Sequence, residues 1–215
     1  RRQRQMCIRD SFQSDNHDYE IFNFSSLENP PSAEKFDALW VMGGPMNVWE
    51  ENRYPWLVQE KYFIKNWVLD LEKPFFGICL GHQLLGEALG ATVVNSQTPE
   101  IGFKEISVNR KLPLNNLFRN FSEDMRVLQG HSAEISNFSK KKVSVLASSD
   151  NCSIQALSYL NHAFSVQFHP EVIDDTIQNW ITIPKIKQDF YDALGRNGIE
   201  EIIKFQQNNR RSLII

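Results

Sequence analysis

Cys79 lies between two glycines, Gly77 and Gly81, in the spacing Gly-x-Cys-x-Gly. An apolar run over residues 74–78 precedes it and predicts a strand buried on both faces of a sheet. Residues 80–89 then show the apolar spacing of a helix. This is the pattern of a nucleophile elbow, a tight turn from strand to helix that presents a reactive side chain. Such a turn needs neighbours without side chains, and the start of a helix favours a thiolate, so we predict that Cys79 is a nucleophile.

A purely structural role is the alternative, because a free cysteine often packs as a small apolar side chain. A second motif favours the nucleophile. The alternating residues 163–168 predict a strand, and His169-Pro170-Glu171 follows at its end. Pro170 favours an extended backbone at His169. Glu171 can then bond one imidazole nitrogen and leave the other to a thiol, which predicts a Cys79, His169, Glu171 triad assembled by the fold.

A third stretch suits the negative charge that develops when a thiolate attacks a carbonyl. The apolar run 36–42 predicts a buried strand, and Gly43-Gly44-Pro45 interrupts it. Glycines let backbone N–H groups approach an oxyanion closely. An oxyanion hole could thus use the N–H groups of Gly43 or Gly44 and of Leu80, which opens the helix after the elbow, but on the residues alone Gly-Gly-Pro is usually just a turn.

Together these stretches resemble the class I glutamine amidotransferases. The resemblance rests on Gly-Ile-Cys-Leu-Gly-His-Gln at 77–83 and Phe-His-Pro-Glu-Val at 168–172. Met-Gly-Gly-Pro at 42–45 matches the oxyanion loop of that family, and the likeness runs from about Asp18 to Trp180. Three further segments are similar to the stand-alone, GMP-synthetase-type members, a subgroup that includes γ-glutamyl peptidases: 128–132, 145–149 and 152–156.

The resemblance also implies a substrate pocket. Gln83 is expected to hold the amino-acid end of the substrate, with His131 and Ser132 lining the same pocket. A solvated turn histidine is the open alternative for His131. His82 is expected to pack beside the elbow and not to act as a base. No cofactor is implied, and the five histidines show no ligand spacing that would predict a metal site.

The implied fold class is α/β. We expect a doubly wound, mostly parallel sheet flanked by helices, with a smaller antiparallel sheet: the flavodoxin-like class I glutamine amidotransferase fold lacking its first strand. A strand is predicted at Tyr19–Phe24 and a helix from Pro55 to about Leu71. Short strands are predicted after Gly90 at 92–94, 101–108, 125–129, 143–148, 153–159 and 163–168. Helices are predicted at Asp174–Trp180, Ile186–Leu194 and 198–206.

The first eleven residues look foreign to the rest of the chain. Met-Cys-Ile-Arg-Asp at 6–10 resembles the translation of a sequencing adapter, and the segment has no apolar pattern that could form a buried strand. We predict that 1–11 is a non-native tail and that 12–215 is one amidotransferase domain, truncated where the family has its first strand and helix.

Composition excludes several classes of protein. The 215 residues are 41% hydrophobic and 12% aromatic, enough for a sizeable core. A net charge of −3, from 23 basic and 26 acidic residues, gives no basic surface for nucleic acid. No apolar run has the length of a membrane span, and no signal peptide is visible. Three cysteines without a disulfide pattern favour a cytoplasmic location.

The resemblance implies a cysteine-dependent hydrolase of the glutamine γ-amide, which releases ammonia for a partner synthetase. The partners predicted are thus a small molecule, L-glutamine or a γ-glutamyl compound, and a synthetase, with no nucleic acid and no membrane. A γ-glutamyl peptidase acting on compounds such as glutathione is the first alternative. A catalytically impaired binding module is the second. We also expect Cys152 to be exposed, as a slow-reacting reference thiol.

Overall fold

The structure of the chain is a computed structural model. It describes residues 17–26, 28–112, 118, 125–138, 142–172 and 175–208. The predicted tail at 1–11 lies outside these residues. Among them, no helix is both long enough and apolar enough to cross a membrane.

Eight strands and four α-helices can be assigned within the described residues. The strands are β1 (Leu39–Val41), β2 (Phe75–Ile78), β3 (Thr92–Glu105), β4 (Ser107–Val108), β5 (Arg126–Asn137), β6 (Val143–Ser148), β7 (Ala156–Tyr159) and β8 (Ala163–Val166). The helices are α1 (Trp56–Lys65), α2 (Leu80–Ala88), α3 (Thr176–Trp180) and α4 (Pro184–Asn208). The helix predicted from Pro55 to about Leu71 is confirmed, because α1 continues into a π-helical turn at Asn66–Asp70.

The main sheet has six strands in the order β1-β2-β8-β7-β6-β4. Strands β1, β2 and β8 are parallel, and the remaining three pairings are antiparallel. The α/β class is confirmed, but the expectation of a mostly parallel sheet is wrong, since the sheet is mixed. The reason is the short connection at residues 160–162 between β7 and β8, which is too short for a crossover and forces a hairpin.

The smaller antiparallel sheet is confirmed and consists of β3 and β5. The sequence predicted two separate strands where β3 is one continuous strand of 14 residues. Its register shifts between Asn95 and Glu100, which explains the break in the apolar pattern. A further expectation is wrong: residues 19–23 form no strand, and Phe24–Ser26 is a short 3-10 turn.

Two layers of apolar side chains position the region around Cys79. One core cluster packs α1 and α2 against the parallel strands, with Leu57, Ile64, Trp67 and Leu84 almost fully buried. A second cluster packs α3 and α4 against the β3–β5 sheet. Helix α4 is interrupted at Gly195, whose φ of 67° is in the left-handed region that glycine favours, so its two parts correspond to the two helices predicted at 186–194 and 198–206. Cys79 itself packs in a third cluster, with Ile78, Val166 and Phe168.

Candidate active site

Cys79 occupies the junction between β2 and α2, as the sequence predicts. Its backbone has φ 54° and ψ −103°, an unfavourable conformation for a residue with a Cβ atom. The Cys79 N–H donates to Val166 O on β8 at 2.9 Å, which anchors the junction to the sheet. Both flanking glycines are required sterically. A Cβ atom at Gly77 would lie 2.6 Å from Gly81 O, and one at Gly81 would overlap the Val41 carbonyl.

His169 follows β8 and is held from three sides. Its N–H donates to Leu128 O at 2.9 Å, and its Nδ1 lies 2.7 Å from Glu171 Oε1. The edge-to-face contact with Trp180 puts the two ring centroids 4.4 Å apart. Since Nδ1 faces Glu171, the Nε2 atom is left for Cys79, with which the imidazole forms a hydrogen bond.

The electrostatics of the His169 imidazole favour its charged form. Burial alone would lower its pKa, but the negative charges and hydrogen bonds of Glu171 and Cys79 outweigh burial and raise the pKa to about 9. The His169 and Glu171 side chains are 1% and 4% exposed, so water screens this interaction poorly. At neutral pH the geometry therefore supports an imidazolium between a carboxylate and a sulfur atom.

A pocket opens directly over this group. Its walls come from the loop after β1, the elbow, β5, His169 and the first turns of α4. The residues that line it are Gly44, Pro45, Met46, Asn47, Cys79, Leu80, Gln83, Ile101, Gly130, His131, Ser132, Ala133, His169, Lys185, Ile186, Asp189 and Phe190. Gly44 and Leu80 thus face the pocket, while Gly43 is buried behind it. A Cβ atom at Gly44 would lie 2.7 Å from Met46 Sδ, so the loop is packed tightly there.

The three residues that the family resemblance implied for substrate binding all line the pocket. Gln83 is buried, and its amide nitrogen donates to Ala133 O at 3.0 Å and to Gln167 Oε1 at 3.1 Å. His131 is also buried, which argues against the alternative of a solvated turn histidine. Ser132 is partly exposed to the pocket.

His82 packs beside the elbow, as expected. Its Nδ1 lies 2.8 Å from Ser165 Oγ and its Nε2 lies 3.0 Å from Ile154 O. Complete burial lowers its pKa to about 3, against the smaller opposing effect of these hydrogen bonds. His82 therefore ties α2 to β8 as a neutral side chain.

Sequence reasoning missed a second group of Cys, His and Glu behind the pocket wall. Potential ligand atoms of Glu100, His131 and Cys152 all lie within 4.8 Å of one another. The expectation that Cys152 is exposed is wrong, because it is 1% exposed and burial raises its pKa to about 12. Neither Glu100 nor Cys152 lines the pocket.

Hydrogen bonds inside the protein engage the polar atoms of this second group. Glu100 accepts from Ser149 Oγ at 2.8 Å and from Gln155 Nε2 at 2.5 Å, and its Oε2 lies 3.2 Å from His131 Nε2. His131 Nδ1 lies 3.1 Å from Ala133 O. Burial would raise the pKa of Glu100, but His131 and Ser149 hold it below its usual value. Glu100 thus supports the pocket wall through His131, and its partners are 31 to 55 residues away in the sequence, so no sequence spacing predicts these contacts.

A strained cysteine elbow, a His–Glu pair behind it and a glycine loop beside it define a cysteine-dependent amide hydrolase of the triad type. Comparison with known proteins agrees: the profile of the family described as "Glutamine amidotransferase class-I" matches residues 3–182. The chain belongs to the class I glutamine amidotransferase family, and it carries a buried Cys-His-Glu group.

Relatives of known description support the same assignment. The chain is 35% identical over 140 residues to a subunit of the glutamine-hydrolysing GMP synthase of Saccharolobus solfataricus, over 65% of this chain and 69% of that protein. It is 31% identical over 187 residues to the glutamine amidotransferase-like protein YfeJ of Salmonella typhimurium, over 86% of this chain and 76% of that protein. The crystal structure of a glutamine amidotransferase from Thermotoga maritima superposes with a TM-score of 0.77 at 28% identity, over 96% of this chain and 89% of that one.

Proposed function

We propose that the protein hydrolyses the γ-amide of glutamine with Cys79, His169 and Glu171 as its catalytic triad. The Cys79 sulfur attacks the amide carbon and forms a γ-glutamyl thioester as the carbon–nitrogen bond breaks. His169 holds the thiol proton and gives it to the departing amine, which leaves as ammonia. Water then attacks the thioester, His169 takes its proton, and glutamate is released as the Cys79 thiol re-forms.

The observation that carries this proposal is the His169–Glu171 contact of 2.7 Å behind an imidazole that also bonds Cys79. Glu171 fixes the ring so that Nδ1 carries a proton and Nε2 faces the sulfur. The raised pKa of His169 lets it keep a proton at neutral pH, which the departing ammonia needs.

The oxyanion of the tetrahedral intermediate needs donors on the pocket side of Cys79. Leu80 opens α2, where the first N–H groups of a helix have no intrahelical acceptor. Gly44 lines the pocket next to Leu80, since a Cβ atom there would lie 3.0 Å from Leu80 Cδ2, and Gly43 precedes it in the same loop. We propose their N–H groups as the oxyanion hole, where one donor is typically worth about 3 kcal/mol of transition-state stabilisation.

Gln83, His131 and Ser132 are proposed to hold the amino-acid end of the substrate. The amide nitrogen of Gln83 is already used by two acceptors of the protein, so its carbonyl oxygen is the atom left for a donor on the substrate. His131 shapes the opposite wall, since both of its nitrogens are bound to groups within the protein.

We further propose that the ammonia is consumed by a synthetase on a separate chain. The support is similarity alone: the Saccharolobus solfataricus relative is described as one subunit of a glutamine-hydrolysing GMP synthase. Co-purification and activity assays with a separate synthetase chain would identify the acceptor of the ammonia.

A substrate panel tests the proposal. Wild type, Cys79→Ala and the matched control Cys152→Ala are incubated with L-glutamine and with glutathione, and ammonia and cysteinylglycine are measured. We expect ammonia from glutamine with wild type and Cys152→Ala, and none above background with Cys79→Ala. Release of cysteinylglycine without ammonia would make the protein a γ-glutamyl peptidase. No product from either substrate would support the non-catalytic alternative.

A further inference from the structure

The first turns of α4 form part of the pocket wall, although the helix lies beyond the residues that the family profile matches. That match ends at residue 182, and α4 begins at Pro184. Lys185 and Asp189 both line the pocket. They are four residues apart on a helix and therefore lie on the same face. This part of the site is not assigned by membership of the family.

Lys185 and Asp189 have opposite charges and lie close enough to influence each other. Lys185 Nζ donates to Pro45 O at 3.2 Å, which places the ammonium group beside the glycine loop. Burial raises the pKa of Asp189, and the positive charge of Lys185 opposes that rise, while Asp192 adds to it. Asp189 is partly buried, whereas Lys185 is exposed.

The pocket otherwise offers few formal charges to a substrate. On the described part of the chain, the pocket lining contains one basic side chain, Lys185, and one acidic side chain, Asp189, besides two histidines. The remaining ionisable group is the attacking thiol of Cys79. Any γ-glutamyl compound with a free amino-acid end carries an α-carboxylate and an α-ammonium group on the side remote from the amide that is cut. Charge-assisted hydrogen bonds to such groups are about twice as strong as neutral ones.

We propose that Lys185 binds the α-carboxylate and Asp189 binds the α-ammonium group of the substrate, which makes the first turns of α4 the element that selects a zwitterionic γ-glutamyl end. This rests on the proposed function for the location of the reacting amide. Neutral groups such as Gln83 and Ser132 add hydrogen bonds but cannot distinguish a charged end from a neutral one as strongly.

Binding is tested with L-glutamine and two analogues that each lack one charge. The compound 4-carbamoylbutanoate lacks the α-ammonium group, and 4-aminobutanamide lacks the α-carboxylate. The binding of each compound is measured from how strongly it slows the alkylation of Cys79 by iodoacetamide. This protection gives a dissociation constant without requiring turnover. The variants are Lys185→Met and Asp189→Asn. Lys187→Met and Glu200→Gln serve as controls on α4 outside the pocket lining.

Lys185→Met is expected to weaken binding of glutamine and 4-carbamoylbutanoate by about tenfold or more, the usual loss for one charged hydrogen bond. Binding of 4-aminobutanamide should not change. Asp189→Asn should weaken glutamine and 4-aminobutanamide by a similar factor and leave 4-carbamoylbutanoate unchanged. Both controls should behave as wild type.

An equal loss for all three compounds, or no loss in either variant, would overturn the assignment. Failure of the proposed function gives a different result. Ammonia release from glutamine would then be absent, while the protection assay would still show which charges of a compound contribute to its binding. The assignment would also be overturned if none of the three compounds protected Cys79 in the wild-type protein.

Discussion

Replacing Glu171 by Gln should change how the stability of the protein depends on pH. Glu171 is the partner of His169 at 2.7 Å, and its negative charge is the largest of the effects that raise the pKa of His169 against burial. The substitution keeps the size of the side chain and removes its charge. It therefore removes the largest of the effects that let the buried imidazole hold its proton.

The size of the effect follows from the two pKa values of His169, 6.5 in the unfolded chain and about 9 in the fold. Because the folded value is the higher one, the stabilisation is complete below about pH 6.5 and is lost as the pH rises through about 9. The difference between these pKa values corresponds to about 3 kcal/mol of unfolding free energy. Glu171 and Cys79 together cause it. Glu171→Gln should remove a large part of this pH dependence, so the two proteins should differ most near pH 6 and less near pH 9.5.

The assay is urea unfolding of wild type and Glu171→Gln at several pH values from 6 to 9.5. Glu105→Gln is the matched control, since Glu105 is an exposed carboxylate that pairs with Arg126. The control should follow wild type at every pH. If wild type and Glu171→Gln lost stability in parallel across the range, the His169–Glu171 pair would not be the source of the raised pKa.

Three further predictions concern the groups around the elbow. Gly81→Ala forces a Cβ atom into the Val41 carbonyl, so denaturant unfolding should show a loss of about 1–3 kcal/mol, and a variant as stable as wild type would contradict the geometry. Trp180→Leu removes the ring that packs on His169 and should lower kcat/KM for glutamine by about tenfold, with Trp180→Phe recovering most of it; equal losses in the two variants would show that the ring contact is unimportant. Cys152 should be alkylated far more slowly at pH 7 than the elbow thiol, because burial raises its pKa to about 12, and mapping of labelled peptides checks this.

Local sequence signals predicted the parts of the site that lie on single elements. The glycine spacing around Cys79 predicted the elbow because steric demand at a tight turn is local, and the clash positions at Gly77 and Gly81 confirm that reason. The alternating strand before His169 was predicted for the same kind of reason, and β8 spans Ala163–Val166. The prediction of a strand at Tyr19–Phe24 was wrong. Aromatic residues are common in strands, but they also pack against other rings outside a sheet, as Phe24 does edge-on against Phe63.

Features that depend on long-range packing were not predictable from one sequence. Glu100 binds three side chains from two distant segments, and its carboxylate looks like an ordinary polar strand position until those partners are known. Cys152 was expected to be exposed, yet the fold buries it behind the pocket wall. Lys185 and Asp189 have the spacing of a solvated helix face, and only the position of α4 over Cys79 turns that face toward the pocket.

The most direct test of the central claim is to identify the atom that carries the γ-glutamyl group during turnover. Wild-type protein mixed with L-glutamine is quenched with acid on the timescale of one turnover, and its peptides are mapped by mass spectrometry. We predict a γ-glutamyl thioester on the peptide that contains Cys79, and neither adduct nor ammonia from Cys79→Ala. An adduct on the Cys152 peptide, or ammonia release by Cys79→Ala at the wild-type rate, would contradict the triad proposed here.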